Sequence, residues 1–69
     1  MTSLMIRAQA ERQLAVRAYE VWAGDPTPDT RKAYDVVAAL ASRLCVACGV
    51  DDDIEGRALA SLARKYGAV

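Results

Sequence analysis

Two breaks decide what this chain can become. The first is Gly24-Asp25-Pro26-Thr27-Pro28, the second Gly49-Val50-Asp51-Asp52-Asp53. Each sets a helix stop beside a helix start. Glycine favours the left-handed C-terminal position, and proline disfavours helix in the residue before it. Thr27 offers a capping hydroxyl before a proline at the first helical position, with Asp29 in the first turn. Asp52 followed by Glu55 has the spacing of a capping box, with Asp in place of Ser or Thr. The breaks leave three segments, and each repeats its apolar residues at helical period. The spacing predicts helices over about 3–23, 28–48 and 53–66. No run alternates with the period of a strand. The expected fold is therefore all-α: a single domain, 1–69, forming a small three-helix bundle. Its short connections make successive helices roughly antiparallel.

The first helix begins after Thr2 or Ser3. Its apolar face reads Leu14, Ala15, Ala18, Val21 and Trp22, and Gly24 is expected to close it. The second carries a stripe of Ala33, Val36, Val37, Leu40, Leu44 and Ala47, which leaves Asp35, Ala38, Ser42 and Arg43 outside. The third reads Ile54, Ala58, Leu59, Leu62 and Tyr66, with Arg64 and Lys65 opposing the negative helix end and Gly67 closing it. Gly56 inside this helix costs roughly 1 kcal/mol relative to alanine. It is expected to mark a close helix crossing or a later helix start.

Fourteen of the 69 residues are alanine and none is phenylalanine. Such a core is thin, and small scaffolds with thin cores use a staple or a partner. Self-association is therefore expected, with a homodimer favoured. Ile6, Val16 and Val46 lie off the predicted stripes and are candidates for the contact surface. Trp22 is read as the main structural anchor.

Cys45 and Cys48 form a C-x-x-C beside three aspartates. Zinc needs about four nitrogen or sulfur ligands, and this chain has two cysteines and no histidine. A redox pair is expected at a helix N-terminus, whereas this one falls in a last turn, where the helix end and Asp51, Asp52 and Asp53 disfavour a thiolate. Cys48 is read as a small apolar core residue. Cys45 lies further round, at the surface or an interface. Asp51, Asp53, Glu55 and Gly56 match the start of an EF-hand loop, but Leu62 stands where the bidentate glutamate belongs. No metal or cofactor is expected. The aspartates read as the start of the third helix, or as an acidic surface meeting a basic partner.

Ser3, Ser42 and Ser61 lack a neighbouring base, and no glycine-rich phosphate loop is present. An enzyme is not expected. Formal net charge is zero, and residues 1–23, 27–48 and 49–69 each depart from neutrality by one charge. Nucleic-acid binders concentrate basic charge on some element. Thr30-Arg31-Lys32-Ala33-Tyr34, after its proline turn, resembles over fewer than twenty residues a helix start in the N-terminal DNA-clamping domains of tyrosine recombinases. These residues do not include that family's catalytic domain. The resemblance implies DNA contact through Arg31 and Lys32, with Arg43 further along the same helix.

No window approaches a membrane span, and Leu4-Met5-Ile6 before Arg7 is too short for a signal peptide. The expected compartment is the cytoplasm. The leading functional expectation is a non-catalytic protein acting by protein–protein contact: an adaptor, an inhibitor or an accessory factor of phage or plasmid type. The competing expectation is a small DNA-binding module.

Overall fold

The computed structural model describes residues 3–67. It contains α1 at Leu4–Gly24, α2 at Pro28–Cys48 and α3 at Ile54–Lys65, with no strand among the described residues. The chain is an all-α three-helix bundle.

Side-chain chemistry sets the helix ends. Ser3 Oγ accepts the Ile6 N–H at 3.1 Å. Thr27 and Thr30 cap α2 reciprocally: each hydroxyl accepts the other's backbone N–H, at 3.2 and 3.0 Å. Threonine here does the work usually given to glutamate or glutamine in a capping box. Gly49 has φ 69° and ends α2 in a Schellman motif. Its N–H donates to the Val46 carbonyl, and the Val50 N–H donates to that of Cys45 at 2.8 Å.

Two expected caps move. Gly24 stays inside α1, and Asp25 is the C-cap, its N–H shared by the Val21 and Trp22 carbonyls. Proline at 26 pushes Asp25 out of the helical region, so no left-handed glycine is required. The N-cap of α3 is Asp53 rather than Asp52: Asp53 Oδ1 accepts the Gly56 N–H at 3.0 Å. This bond also accounts for Gly56, because a Cβ there would run into the Asp53 carboxylate. The glycine makes room for its own helix's cap.

α1 and α2 form an antiparallel hairpin. Tyr19 stacks edge-on against Tyr34, with centroids 5.4 Å apart, and the Cys45 thiol lies 3.7 Å from the Ala8 carbonyl oxygen. The seam between them is built from Ala8, Ala15 and Tyr19 on α1 and from Tyr34, Ala38, Ala41 and Cys45 on α2. Small side chains let the backbones approach closely where alanines meet. The aromatic rings close the end near the first break.

α3 packs mainly on α1. Ile54 and Ala58 are buried in the same cluster as Val16. Ser61 Oγ donates to Glu20 Oε1 at 2.7 Å, and the Arg12 guanidinium donates to the Asp51 carbonyl at 2.6 Å.

This packing corrects several expectations. Val16 is 4% exposed and belongs to the core, because it sits one residue round from the seam and meets α3. Cys45 is fully buried, while the more accessible cysteine is Cys48. The stripe expected to fill the core of α2 is mostly exposed: Val36 is 64% and Leu40 43% exposed, and Ala33 and Ala47 are also at the surface. On α1, Leu14 and Val21 are exposed as well, and on α3 so are Leu59 and Tyr66.

The result is a flat molecule, 36 × 29 × 18 Å, with a radius of gyration of 12.5 Å. A compact chain of this length has a radius of gyration near 11 Å. The accessible surface is 4844 Å², whereas a globular monomer of 7.4 kDa exposes about 4,200 Å². Roughly 600 Å² more surface than usual faces outward.

Candidate interaction surface

The acidic turn is used inside the fold. Asp51 accepts the Asp53 N–H at 3.0 Å and pairs with the Arg57 guanidinium at 3.3 Å. Asp52 accepts the Ser42 hydroxyl at 2.8 Å, which ties α2 to the start of α3. Asp53 caps α3. All three remain exposed, yet each carboxylate has a structural partner. Among the described residues, no three of Cys, Asp and Glu gather as a metal site would need.

The basic residues of α2 do not gather either. Arg31 lies over two rings, with Cζ 5.1 Å from the Trp22 centroid and 5.4 Å from that of Tyr34, and its Nε meets Asp35 at 3.2 Å. Its charge is shared among a carboxylate and two π faces. Lys32 and Arg43 are exposed on the outer edge of α2. They stand eleven positions apart, about 16 Å along the axis.

The fold perturbs the titration of Tyr34. Burial comes first and the Glu55 carboxylate second, and together they raise its phenol above the ordinary value near 10, with Arg31 opposing. A raised pKa means that the folded chain holds the proton after the unfolded chain has released it. The associated stability is full below pH 10 and is lost as pH rises through the folded-state value. Alkaline absorbance titration is expected to show a late phenolate component that Tyr34→Phe removes. Identical titration of the two proteins would contradict this.

The largest feature left over is apolar. Successive helical residues are 100° apart. On α1, Ala15 faces the seam and Val16 faces α3, so Leu14 points away from α3. On α2, Ala41 faces the seam and Ser42 bonds Asp52 at the start of α3, so Leu40 also points away. The Tyr19–Tyr34 and Ala8–Cys45 pairs set a register that brings Leu14 level with Leu40 to within one residue. Leu14, Val21, Ala33, Leu40 and Ala47 thus share the side of the hairpin opposite α3, all of them exposed, with the exposed Arg7 on the same line seven positions before Leu14. Val36, seven positions before Arg43, lies on the outer edge of α2.

No family model, curated protein or solved structure matches this chain. The functional reading therefore rests on the surface itself. Of the contact residues expected from the sequence, Ile6 and Val46 are exposed, Val46 at 70%. They lie apart from this face. Ile6 sits two residues before the seam residue Ala8, on the outer edge of α1. Val46 follows Ser42 by one turn, on the side that carries α3. The residues of the face were legible as apolar, but helical period alone assigned them to the core. The missed signal is that α2 has two neighbouring apolar lines and can bury only one of them against α1. No helix is long and apolar enough to cross a membrane among the described residues.

Proposed function

We propose that this protein is a non-catalytic interaction module that works through the hairpin face opposite α3. One observation carries the reading: α2 is apolar on two adjacent lines, and on the second Val36 and Leu40 are exposed while Leu44 is half-buried. A helix apolar around so much of its circumference is normally enclosed on both sides. Contiguous apolar surface of this kind marks contact sites on soluble proteins. Adaptor, inhibitor and accessory roles all use such a face. The two free cysteines fit a reducing compartment such as the cytoplasm. Nucleic-acid binding is the weaker reading, since Arg31 is held by Trp22, Tyr34 and Asp35.

Photo-crosslinking tests it. A photoreactive amino acid at Leu40 or Leu14 is expected to give discrete protein adducts in cells, and the same group at Lys32 or Ile6 far fewer. Equal labelling from all four positions, or none from the first two, would remove the proposal.

A further inference from the structure

We propose that the cleft between α1 and α3 is a separate site, which holds a phosphorylated side chain of a partner protein. It lies on the flank of α1 turned away from α2 and does not depend on the hairpin face.

α3 sets the spacing. Arg57, Ala60, Ser61 and Arg64 follow one another at three- and four-residue steps and share one line of the helix. The line reads large, small, small, large. It lies against Gln13 and Val16 of α1, and these six residues bound a cleft of about 230 Å³. Its floor is apolar, because Val16 is buried. Its charge has one sign: both charged residues that line it are arginines, and no carboxylate does.

The arginines are available. Arg64 makes no ion pair among the described residues. Helical side chains lean toward the N-terminus, so Arg64 reaches back over Ala60. Arg57 meets Asp51 at 3.3 Å, in a pair whose side chains are 47% and 59% exposed. Exposed pairs of this kind are weak, and a guanidinium keeps further N–H donors for a second anion. The two arginines stand about 10 Å apart along the axis, with only small side chains between them. Gln13 adds a neutral amide donor from α1.

Size and charge together choose a single phosphoryl group. Clefts that enclose drug-sized ligands measure about 300–1,000 Å³, and this one is smaller. It suits a group carried on a stem, with the rest of the partner outside. A carboxylate brings one charge, whereas a phosphoryl group brings close to two and three strong acceptor oxygens. That matches two guanidinium forks, and arginine clusters recognise phosphorylated segments in this way. An extended polyanion fits less well. Asp51 stands beside Arg57, and Glu20 accepts the Ser61 hydroxyl at 2.7 Å. A nucleic-acid strand, charged every few ångströms, would carry phosphates past both carboxylates.

Nuclear magnetic resonance titration of the full chain with N-acetyl-O-phosphoserine amide tests the proposal. Saturable shifts are expected at the amides of Gln13, Ala60 and Ser61, with Ala33 and Leu40 of α2 unmoved. Sodium chloride at equal ionic strength is expected to reproduce none of them. Arg57→Gln and Arg64→Gln are each expected to weaken binding by about tenfold. Arg43→Gln removes a cation elsewhere and is expected to leave binding unchanged. Should Arg57→Gln lose helix with its Asp51 pair, Arg64→Gln decides the matter, since Arg64 has no such pair to lose.

No saturable shift at the cleft overturns the proposal. So does binding indifferent to Arg64, or weakened equally by Arg43→Gln. Three competitors can also overturn it by binding through these arginines more tightly than the phosphoserine probe. Inorganic phosphate would make the cleft a free-anion site, N-acetylglutamate amide a site for acidic peptides, and a single-stranded oligonucleotide a nucleic-acid groove. Crosslinking from Leu14 and Leu40 reads the hairpin face separately, so either site can fail without the other.

Discussion

Tyr34→Ala is expected to unfold this protein. Tyr34 is 8% exposed and is the largest residue in the buried set. Its ring stacks on Tyr19 at 5.4 Å and lies under Arg31, and it belongs to the cluster that also holds Ile54 and Ala58 from α3. The one side chain therefore joins both halves of the hairpin and abuts the helix packed against it. Truncating a buried aromatic to alanine costs about 3–5 kcal/mol. A domain this small has about 5 kcal/mol of stability or less, so the loss is comparable with the whole. Tyr34→Phe keeps the ring and its edge-on contact. Its hydroxyl makes no hydrogen bond with another side chain or the backbone among the described residues, so a change within about 1 kcal/mol is expected. Urea unfolding followed by circular dichroism separates the outcomes. An alanine variant with a wild-type midpoint would show that the aromatic cluster does not hold the hairpin together.

The three helices were legible because their limits are written in local chemistry. Thr27 before Pro28, Gly49 with its positive φ, and the Arg64-Lys65-Gly67 ending all act within a turn of themselves. Caps displaced by one residue, Asp53 for Asp52 and Asp25 for Gly24, mark the limit of that reading. Two adjacent aspartates offer the same carboxylate, and only tertiary contact decides between them. Asp52 is drawn off by Ser42 of α2, which leaves Asp53 to cap.

Which face of α2 turns inward was not legible, and the reason is size. Tyr34, Ala38, Ala41, Cys45 and Cys48 follow spacings of four and three residues, as a packing seam does. The line is mostly alanine and cysteine. The line beside it holds Val36, Leu40 and Leu44, and any reading weighted by hydrophobicity prefers it. The seam won because small residues opposite Ala8 and Ala15 let two backbones come close. Close approach gains dispersion contacts along the whole length of both helices. The C-x-x-C is accounted for by the same line: Cys45 and Cys48 are two steps of the seam, with no metal or redox role needed to explain their spacing. The arrangement also leaves Val36 and Leu40 in water, with Leu44 half-buried beside them.

That account has a sharp consequence at Ala15. If the seam depends on close approach, enlarging a seam alanine must hurt, although the change adds apolar bulk. Ala15 is fully buried and has Val16 and Tyr34 in its cluster. Ala15→Leu inserts three carbons where two helices meet. Overpacking a filled core costs about 1–3 kcal/mol, and the upper half of that range is expected, since the strain falls on both backbones at once. For a domain of this size, 2 kcal/mol lowers the melting temperature by about 8–16 °C. Ala39→Leu makes the same change at an exposed position of α2 and is expected to stay within about 0.5 kcal/mol of the parent. A hydrophobicity-weighted reading predicts that Ala15→Leu stabilises the core, as leucine would in a loosely packed bundle. Thermal unfolding of the two variants at equal dilution decides the matter. A melting temperature at or above the parent's for Ala15→Leu would mean that the helices have room between them, and the exposed stripe on α2 would then need another cause.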